Sequence, residues 1–219
     1  MSKTTKIVSL VLMVAVLIIA GAVIVSRRSN QATTTTTTSQ KEGKTVQNPK
    51  TLIVYYSRTG NTKAVAEIIQ SQVGGDLVQI ETKSARPTNY RAEVEQNETE
   101  QNTDTLPALK SLPDLSQYDR IFIGSPTWNM ALPQAVVAFL RANKFTGKTV
   151  IPFNTNGGYG VGSVFTQIKQ EAKGATVLQG FSIKGGEEIN GVLLAIRGNR
   201  RVTVSKSVTT WLKSIKQTQ

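Results

Sequence analysis

The amino-acid sequence predicts an α/β fold, a doubly wound five-stranded parallel sheet preceded by one transmembrane helix and a disordered linker. Three observations carry this. From residue 51 onward, five short runs rich in Val, Ile, Phe and Tyr alternate with amphipathic stretches, the order that builds a parallel sheet covered by helices on both faces. Turn-forming residues punctuate each exchange. Ahead of them stands an apolar run, set apart by a polar tract.

Residues Ile7 to Val25 form that run, nineteen residues with Ser9 as the only polar member. At a helical rise of 1.5 Å per residue it reaches roughly 28 Å, enough for a hydrocarbon core of about 30 Å. Lys3 and Lys6 precede it and Arg27-Arg28 close it. Ala20-Gly21-Ala22 has the small-x-small form of a signal-peptide cleavage site, but the apolar run continues past it to Val25, and no cysteine is present for a lipid anchor. An uncleaved anchor over 1–25 is therefore the expectation. Residues 26–49, with six consecutive threonines from Thr33 to Thr38, have nothing to bury and read as a disordered coil of roughly 25–30 Å end to end. The globular domain then occupies 50–219.

Within it, strands are expected at Thr51–Tyr56, Leu77–Glu81, Arg120–Gly124, Thr149–Asn154 and Thr176–Phe181, each a short run with β-branched or aromatic residues. Helices are expected at Asn61–Gln72, Leu132–Arg141, Ser163–Lys173 and Ser205–Lys216. Val65, Ile68, Ile69 and Val73 mark the apolar face of the first, and Val208, Trp211, Leu212 and Ile215 that of the last. The polar region Lys83–Ser111 predicts only a short helix near Tyr90–Gln96. Residues Gly191–Ile196 and Val202–Val204 flank a Gly198-Asn199 turn, the pattern of a hairpin. The acidic pair Glu187-Glu188, in a Gly-rich turn, reads as a solvated face.

The first strand runs into Ser57-Arg58-Thr59-Gly60-Asn61-Thr62, five polar residues and a glycine, and then into a helix. Strand, hydroxyl-rich turn and helix N-terminus make an anion site: free N–H groups, the helix dipole and side-chain donors converge. No Gly-Lys-Ser/Thr closes the turn, so it is not a Walker loop, and one glycine is too few for a dinucleotide fingerprint. Hydroxyls in place of lysine suit a terminal phosphate monoester. Two more loops follow apolar runs: Gly124-Ser125-Pro126-Thr127-Trp128-Asn129-Met130-Ala131-Leu132-Pro133 and Asn154-Thr155-Asn156-Gly157-Gly158-Tyr159-Gly160. The glycines around 157–162 follow the wrong strand for a dinucleotide motif. In such a sheet, ligands bind at strand carboxyl ends, where all three loops fall.

In order and spacing these loops resemble those of the flavodoxin family, over about residues 50–216. The resemblance implies strand order 2-1-3-4-5 and FMN as cofactor. It places the phosphate on Ser57, Arg58, Thr59, Gly60, Asn61 and Thr62, with Arg58 adding a charge-assisted bond. The isoalloxazine ring would lie against Pro126, Thr127, Trp128, Asn129 and Met130, with Trp128 stacking. Related domains often carry two tryptophans and a glycine here, where this chain has Trp128-Asn129-Met130. Asn154, Thr155, Asn156, Gly157, Gly158, Tyr159 and Gly160 would face the polar edge of the flavin, with Tyr159 as a second stacking aromatic. No catalytic or metal-ligating residue is assigned.

Composition narrows the chemistry. Neither cysteine nor histidine occurs, which excludes disulfides, thiolate zinc sites, iron–sulfur clusters, His-ligated haem and Ser-His-Asp catalysis. Redox work would fall to an organic cofactor. Net charge is +12; six of the 26 basic residues and one of the 14 acidic ones precede residue 50, so the remainder carries +7. Flavodoxins are usually acidic. No basic stripe or aromatic–Arg platform points to nucleic acid, and anionic lipid or wall polymer suits the charge better. The leading expectation is a membrane-tethered, monomeric FMN head that transfers electrons between redox partner proteins or membrane quinones. The alternative is an FMN-dependent NAD(P)H:quinone, azo- or nitro-reductase; a cofactor-free surface protein is the third. The flanking charges and the threonine-rich stalk lean towards an extracytoplasmic head.

Overall fold

The computed structural model describes residues 49–218. The expected anchor, and all of the linker but Pro49, lie outside the described residues. Among the described residues no helix is long and apolar enough to cross a membrane.

The chain runs β1 (Thr51–Tyr55), α1 (Asn61–Val73), β2 (Asp76–Gln79), α2 (Tyr90–Asn102), β3 (Arg120–Pro126), α3 (Gln134–Ala142), β4 (Thr149–Asn156), α4 (Val164–Glu171), β5 (Thr176–Val177), β6 (Phe181–Lys184) and α5 (Gly198–Ser214). All strand pairs are parallel, in the order β2-β1-β3-β4-β5, with β6 also on β4. Every residue of β1 is buried because helices cover both sides of it. Side chains alternate across a strand. Leu52 and Val54 therefore pack with Ile121, Val136, Leu140 and Ile168 towards α3 and α4, while Ile53 and Tyr55 pack with Val65, Ile69, Val208 and Leu212 towards α1 and α5. Gly124 in β3 is a packing requirement, since a Cβ there would run into the Phe153 ring of β4.

The expected fifth strand, Thr176–Phe181, is broken into β5 and β6. Thr149 pairs with Thr176 but Phe153 with Phe181, so one extra residue is inserted between. The cause lies in β4. The Val150 carbonyl accepts from the Leu178 N–H at 2.9 Å, and two residues on, at the same edge, Pro152 has no N–H to give. Within the break, the Gln179 carbonyl accepts from the Trp211 indole N–H of α5 at 3.0 Å.

Two other expectations are corrected. The hairpin around Gly198-Asn199 does not form; Gly198, at φ 50°, opens α5, which therefore begins seven residues before the expected Ser205, with Val204 fully buried in its core-facing side. The helix expected near Tyr90–Gln96 runs on to Asn102, capped by Asn89, whose Oδ1 accepts from the Ala92 N–H. Its buried residues are Glu93, Asn97 and Glu100, with no apolar side chain among them.

Overpacking a filled core costs roughly 1–3 kcal/mol. Gly124→Ala should lower the free energy of unfolding by about that amount in urea titration; an unchanged midpoint would mean that the Phe153 ring has room to move.

Candidate functional site

The first loop leaves β1 with the Tyr56 N–H donating to the Gly124 carbonyl at 2.9 Å and enters α1 through Gly60, at φ 91°. No side chain caps α1 and its first turn holds no acid, so the N-terminal N–H groups remain available. Around them, the Gly60 N–H donates to Ser57 Oγ at 3.2 Å, and Thr59 Oγ1 accepts from Asn61 Nδ2 at 3.0 Å, which leaves the Thr59 hydroxyl proton to give. Thr62 Oγ1 lies 2.8 Å from Thr155 Oγ1 and ties the first loop to the third.

Asn61 and Arg58 are engaged elsewhere. The Asn61 amide donates to the Leu193 carbonyl at 2.6 Å and accepts from the N–H groups of Ala195 and Ile196 at 3.0 and 3.2 Å, clipping the chain before α5 onto α1. Arg58 neither points to solvent nor stands free. Its Nε and Nη2 donate to the two Glu188 oxygens at 2.9 Å each, Nη1 to the Pro87 carbonyl at 2.7 Å and Nη2 to the Thr88 carbonyl at 2.8 Å. The reading of Glu187-Glu188 as a solvated face is thereby corrected. Glu188 binds Arg58, and Glu187 is paired with Lys184. The hydrogen bonds to Glu188 are the main cause holding the Arg58 guanidinium above its ordinary value.

The second loop is a two-residue turn. The N–H groups of Trp128 and Ala131 each donate to the other's carbonyl at 3.0 Å, with Asn129 and Met130 at φ 48° and 58°. That geometry usually calls for Asn-Gly. Here the Met130 carbonyl accepts from the Ser163 N–H and Oγ at 2.8 and 3.0 Å, which holds an unbranched residue in the left-handed region and leaves its side chain 48% exposed. Trp128 is half-buried, edge-on to Tyr56 with ring centres 5.5 Å apart. In the third loop Asn154 is wholly buried, donating to the Ser125 carbonyl and Thr127 Oγ1 at 2.9 Å each, and so fixes the second loop to the third. The Asn156 side chain accepts from the N–H groups of Gly158 and Gly160 at 2.9 and 3.4 Å, and Tyr159 stands 86% exposed.

Together the loops enclose a cleft of about 500 Å3. It gathers Ser57, Arg58, Thr59, Asn61, Thr62, Pro126 to Met130, Thr155, Asn156, Gly157, Tyr159 and Gly160, but not Gly60, Asn154 or Gly158, which shape the loops from behind. Two walls were not expected from the sequence. One is α2, through Tyr90, Glu93, Val94, Asn97 and Glu98; the other is the segment Gly185–Asn190. The only signal for the first was the 93-97-100 spacing of polar residues on one helix face, which reads as solvated without the arginines that bury it. Arg86 donates to Glu93 at 2.8 and 3.0 Å and to Glu100 at 2.5 Å, and Arg58 lies 3.8 Å from Glu93.

Comparison with known proteins decides the family. The flavodoxin family model matches residues 50–192. The chain belongs to the flavodoxin family. Its fold is shared with a flavoprotein of Bacteroides eggerthii DSM 20697, at 28% identity over 77% of this chain and 99% of that one, with a TM-score of 0.62. A flavoprotein of Bacteroides uniformis ATCC 8492 is 26% identical over 74% and 99%, with a TM-score of 0.60. A flavoprotein of Lactobacillus acidophilus NCFM, solved in complex with FMN, shares the fold at 24% identity over 66% and 98%, with a TM-score of 0.53. No curated protein matches the chain.

FMN is the family's cofactor, and the cleft fits it. An uncapped helix N-terminus with hydroxyls beside it suits the phosphate, Trp128 offers a flat apolar face, and Asn97 Oδ1 on the α2 wall is buried without a partner.

Tyr56, beneath Trp128, records the polarity of these walls. Its phenol is pushed up to about 12, first by burial; Arg86 opposes the shift, Glu93 and Glu100 add to it, and Arg58 opposes it. A phenol raised from 10 is fully stabilising below the unfolded value, and that stability is lost as pH climbs from about 10 to about 12. Tyr56→Phe should remove this loss. Between pH 9.5 and 12 the wild type should lose about 2–3 kcal/mol more than the variant in urea unfolding, and parallel losses in both would show that Tyr56 titrates normally.

Proposed function

We propose that this flavodoxin-family protein binds FMN in the cleft and passes electrons between redox partners, either proteins or membrane quinones. The observation that carries the reading is the uncapped N-terminus of α1, ringed by the Ser57, Thr59 and Thr62 hydroxyls at the carboxyl edge of the sheet, opening into the same cleft as Trp128. When bound, FMN supplies electron-transfer chemistry for which a chain without cysteine or histidine has no metal–thiolate or haem alternative. The residues bind and orient it. Thr59 has a hydroxyl proton to donate, one of the Thr62–Thr155 pair has the other, and the α1 N–H groups complete the anion site. Trp128 is braced by Tyr56 at its edge, so a ring laid against it meets a fixed surface. Three acids of the cleft are matched, Glu93 by Arg86, Glu188 by Arg58 and Glu187 by Lys184, which leaves Glu98 on the α2 wall as the one lining acid without an ion pair among the described residues.

A second reading is a reductase acting directly on quinones, azo or nitro compounds. It is favoured by the rim of the cleft, where Met130, Tyr159 and Ile189 (71% exposed) leave an apolar surface for a planar acceptor. Steady-state turnover with NADPH and a quinone separates the two. We further propose that residues 7–25 tether the head to the membrane, single-pass, with the head on the outer side; the apolar run, the threonine-rich stalk and the +7 charge of the head support this.

Two tests follow from these assignments. A hydrogen bond to a charged acceptor is worth roughly 1.5–3 kcal/mol, so Thr59→Val should weaken FMN binding about ten- to a hundredfold. Riboflavin, which has no phosphate, should bind both forms alike; equal FMN affinity would remove Thr59 from the site. For topology, brief protease treatment of intact cells should cut within residues 26–49 and release the head. A head that stays protected until the membrane is permeabilised would place it on the inner side.

A further inference from the structure

The cleft has one wall that neither the loops nor the family assignment explains. Helix α2 buries Glu93, Asn97 and Glu100, at spacings that place them on one face. Both carboxylates are held by arginine: Glu93 by Arg86 and, more loosely, Arg58, and Glu100 by Arg86 and by Gln96 Nε2 at 2.9 Å. Asn97 lies between them, 3% exposed, and its Oδ1 meets no donor. A buried acceptor without a partner is destabilising, and an apolar side chain of the same shape would avoid the penalty. Asn97 also lines the cleft, so its missing partner has a place to come from.

We propose that Asn97 is a ligand-binding residue of this cleft, and that its amide receives the imide or carboxamide edge of a molecule held there. A carboxamide presents an acceptor and a donor side by side, in whichever orientation its oxygen and nitrogen are set. Its natural complement is another N–H beside a C=O: the ligand N–H donates to one end, and the ligand carbonyl accepts from the other. An anion is disfavoured because Glu98, without an ion pair among the described residues, is the next residue on the same wall. A neutral amide-like edge avoids that repulsion. Two molecules expected in such a cleft carry that edge, the imide of the flavin and the carboxamide of a nicotinamide. The inference rests on the FMN reading above and adds to it a side chain on the α2 wall that reads the ligand's polar edge beside the third loop.

The test uses the full-length protein and the variants Asn97→Leu and Asn97→Ala. The second keeps the test decisive if the larger side chain disturbs folding. Binding is followed by flavin fluorescence and by calorimetry. Loss of one or two neutral hydrogen bonds should weaken the affected ligand about three- to tenfold. If the edge is the flavin imide, FMN affinity falls by that factor in both variants, and N3-methyl-FMN, which keeps the carbonyl but has no N–H to donate, shows a smaller loss than FMN. If it is the nicotinamide carboxamide, FMN affinity is unchanged, NADP+ binding to the FMN-loaded protein falls, and the 3-acetylpyridine analogue of NADP+, which keeps the carbonyl but has no N–H, shows a smaller loss than NADP+. Unaltered affinity for both FMN and NADP+ in folded variants would overturn the proposal and leave FMN binding intact. A wild-type chain that binds no FMN would overturn the cofactor reading, and this inference with it.

Discussion

The guanidinium of Arg58 joins three parts of the chain that are far apart in sequence. It sits in the first loop, holds Glu188 by two hydrogen bonds of 2.9 Å, takes the carbonyls of Pro87 and Thr88 just before α2, and lies 3.8 Å from Glu93 within α2. Arg86 then carries the network along α2 to Glu100. The dependence is strong because α2 buries no apolar side chain of its own. An isolated helix of thirteen residues is marginal in water, and most helices in proteins are held by an apolar face. This one is held by charge. Removing one member of a buried ion pair is costly because it leaves the partner charge uncompensated, so the two arginines fix the α2 wall and, through Glu188, the opposite wall of the cleft.

The sheet does the remaining positioning. Parallel strands bring all their following loops to one edge, and apolar layers pack β1, β3 and β4 on both faces. Polar clips set the loops against one another there: Thr62 with Thr155, Asn154 with Ser125 and Thr127, and Asn61 with residues 193 to 196. The loops thus have little backbone left to order when a ligand enters, which is the condition for tight binding with few contacts. Two of these clips, Asn61 and Asn154, belong to residue types that look like ligand donors. In place they are part of the scaffold.

Most of the sheet was legible because its signals are local. The runs at β1, β3 and β4 are apolar throughout, as strands buried on both faces must be. The family's strand order 2-1-3-4-5 was likewise expected, from the resemblance. What failed to read locally depended on a distant partner. The break between β5 and β6 is set by Pro152 on the neighbouring strand, not by any residue of the fifth. Gly198-Asn199 has turn chemistry, yet opens a helix whose Val204 and Val208 find the core. Of the site, the three loops were legible and the cleft does gather most of their residues. The α2 wall and Glu188 were not, because a row of glutamates is solvated unless arginines from residues 58 and 86 reach it.

Adding one equivalent of FMN to the full-length protein, and following fluorescence and elution on gel filtration, asks whether these walls and loops together form a flavin site. FMN should co-elute at one per chain with its emission quenched against Trp128. FMN that elutes free, with its emission unchanged, would contradict it.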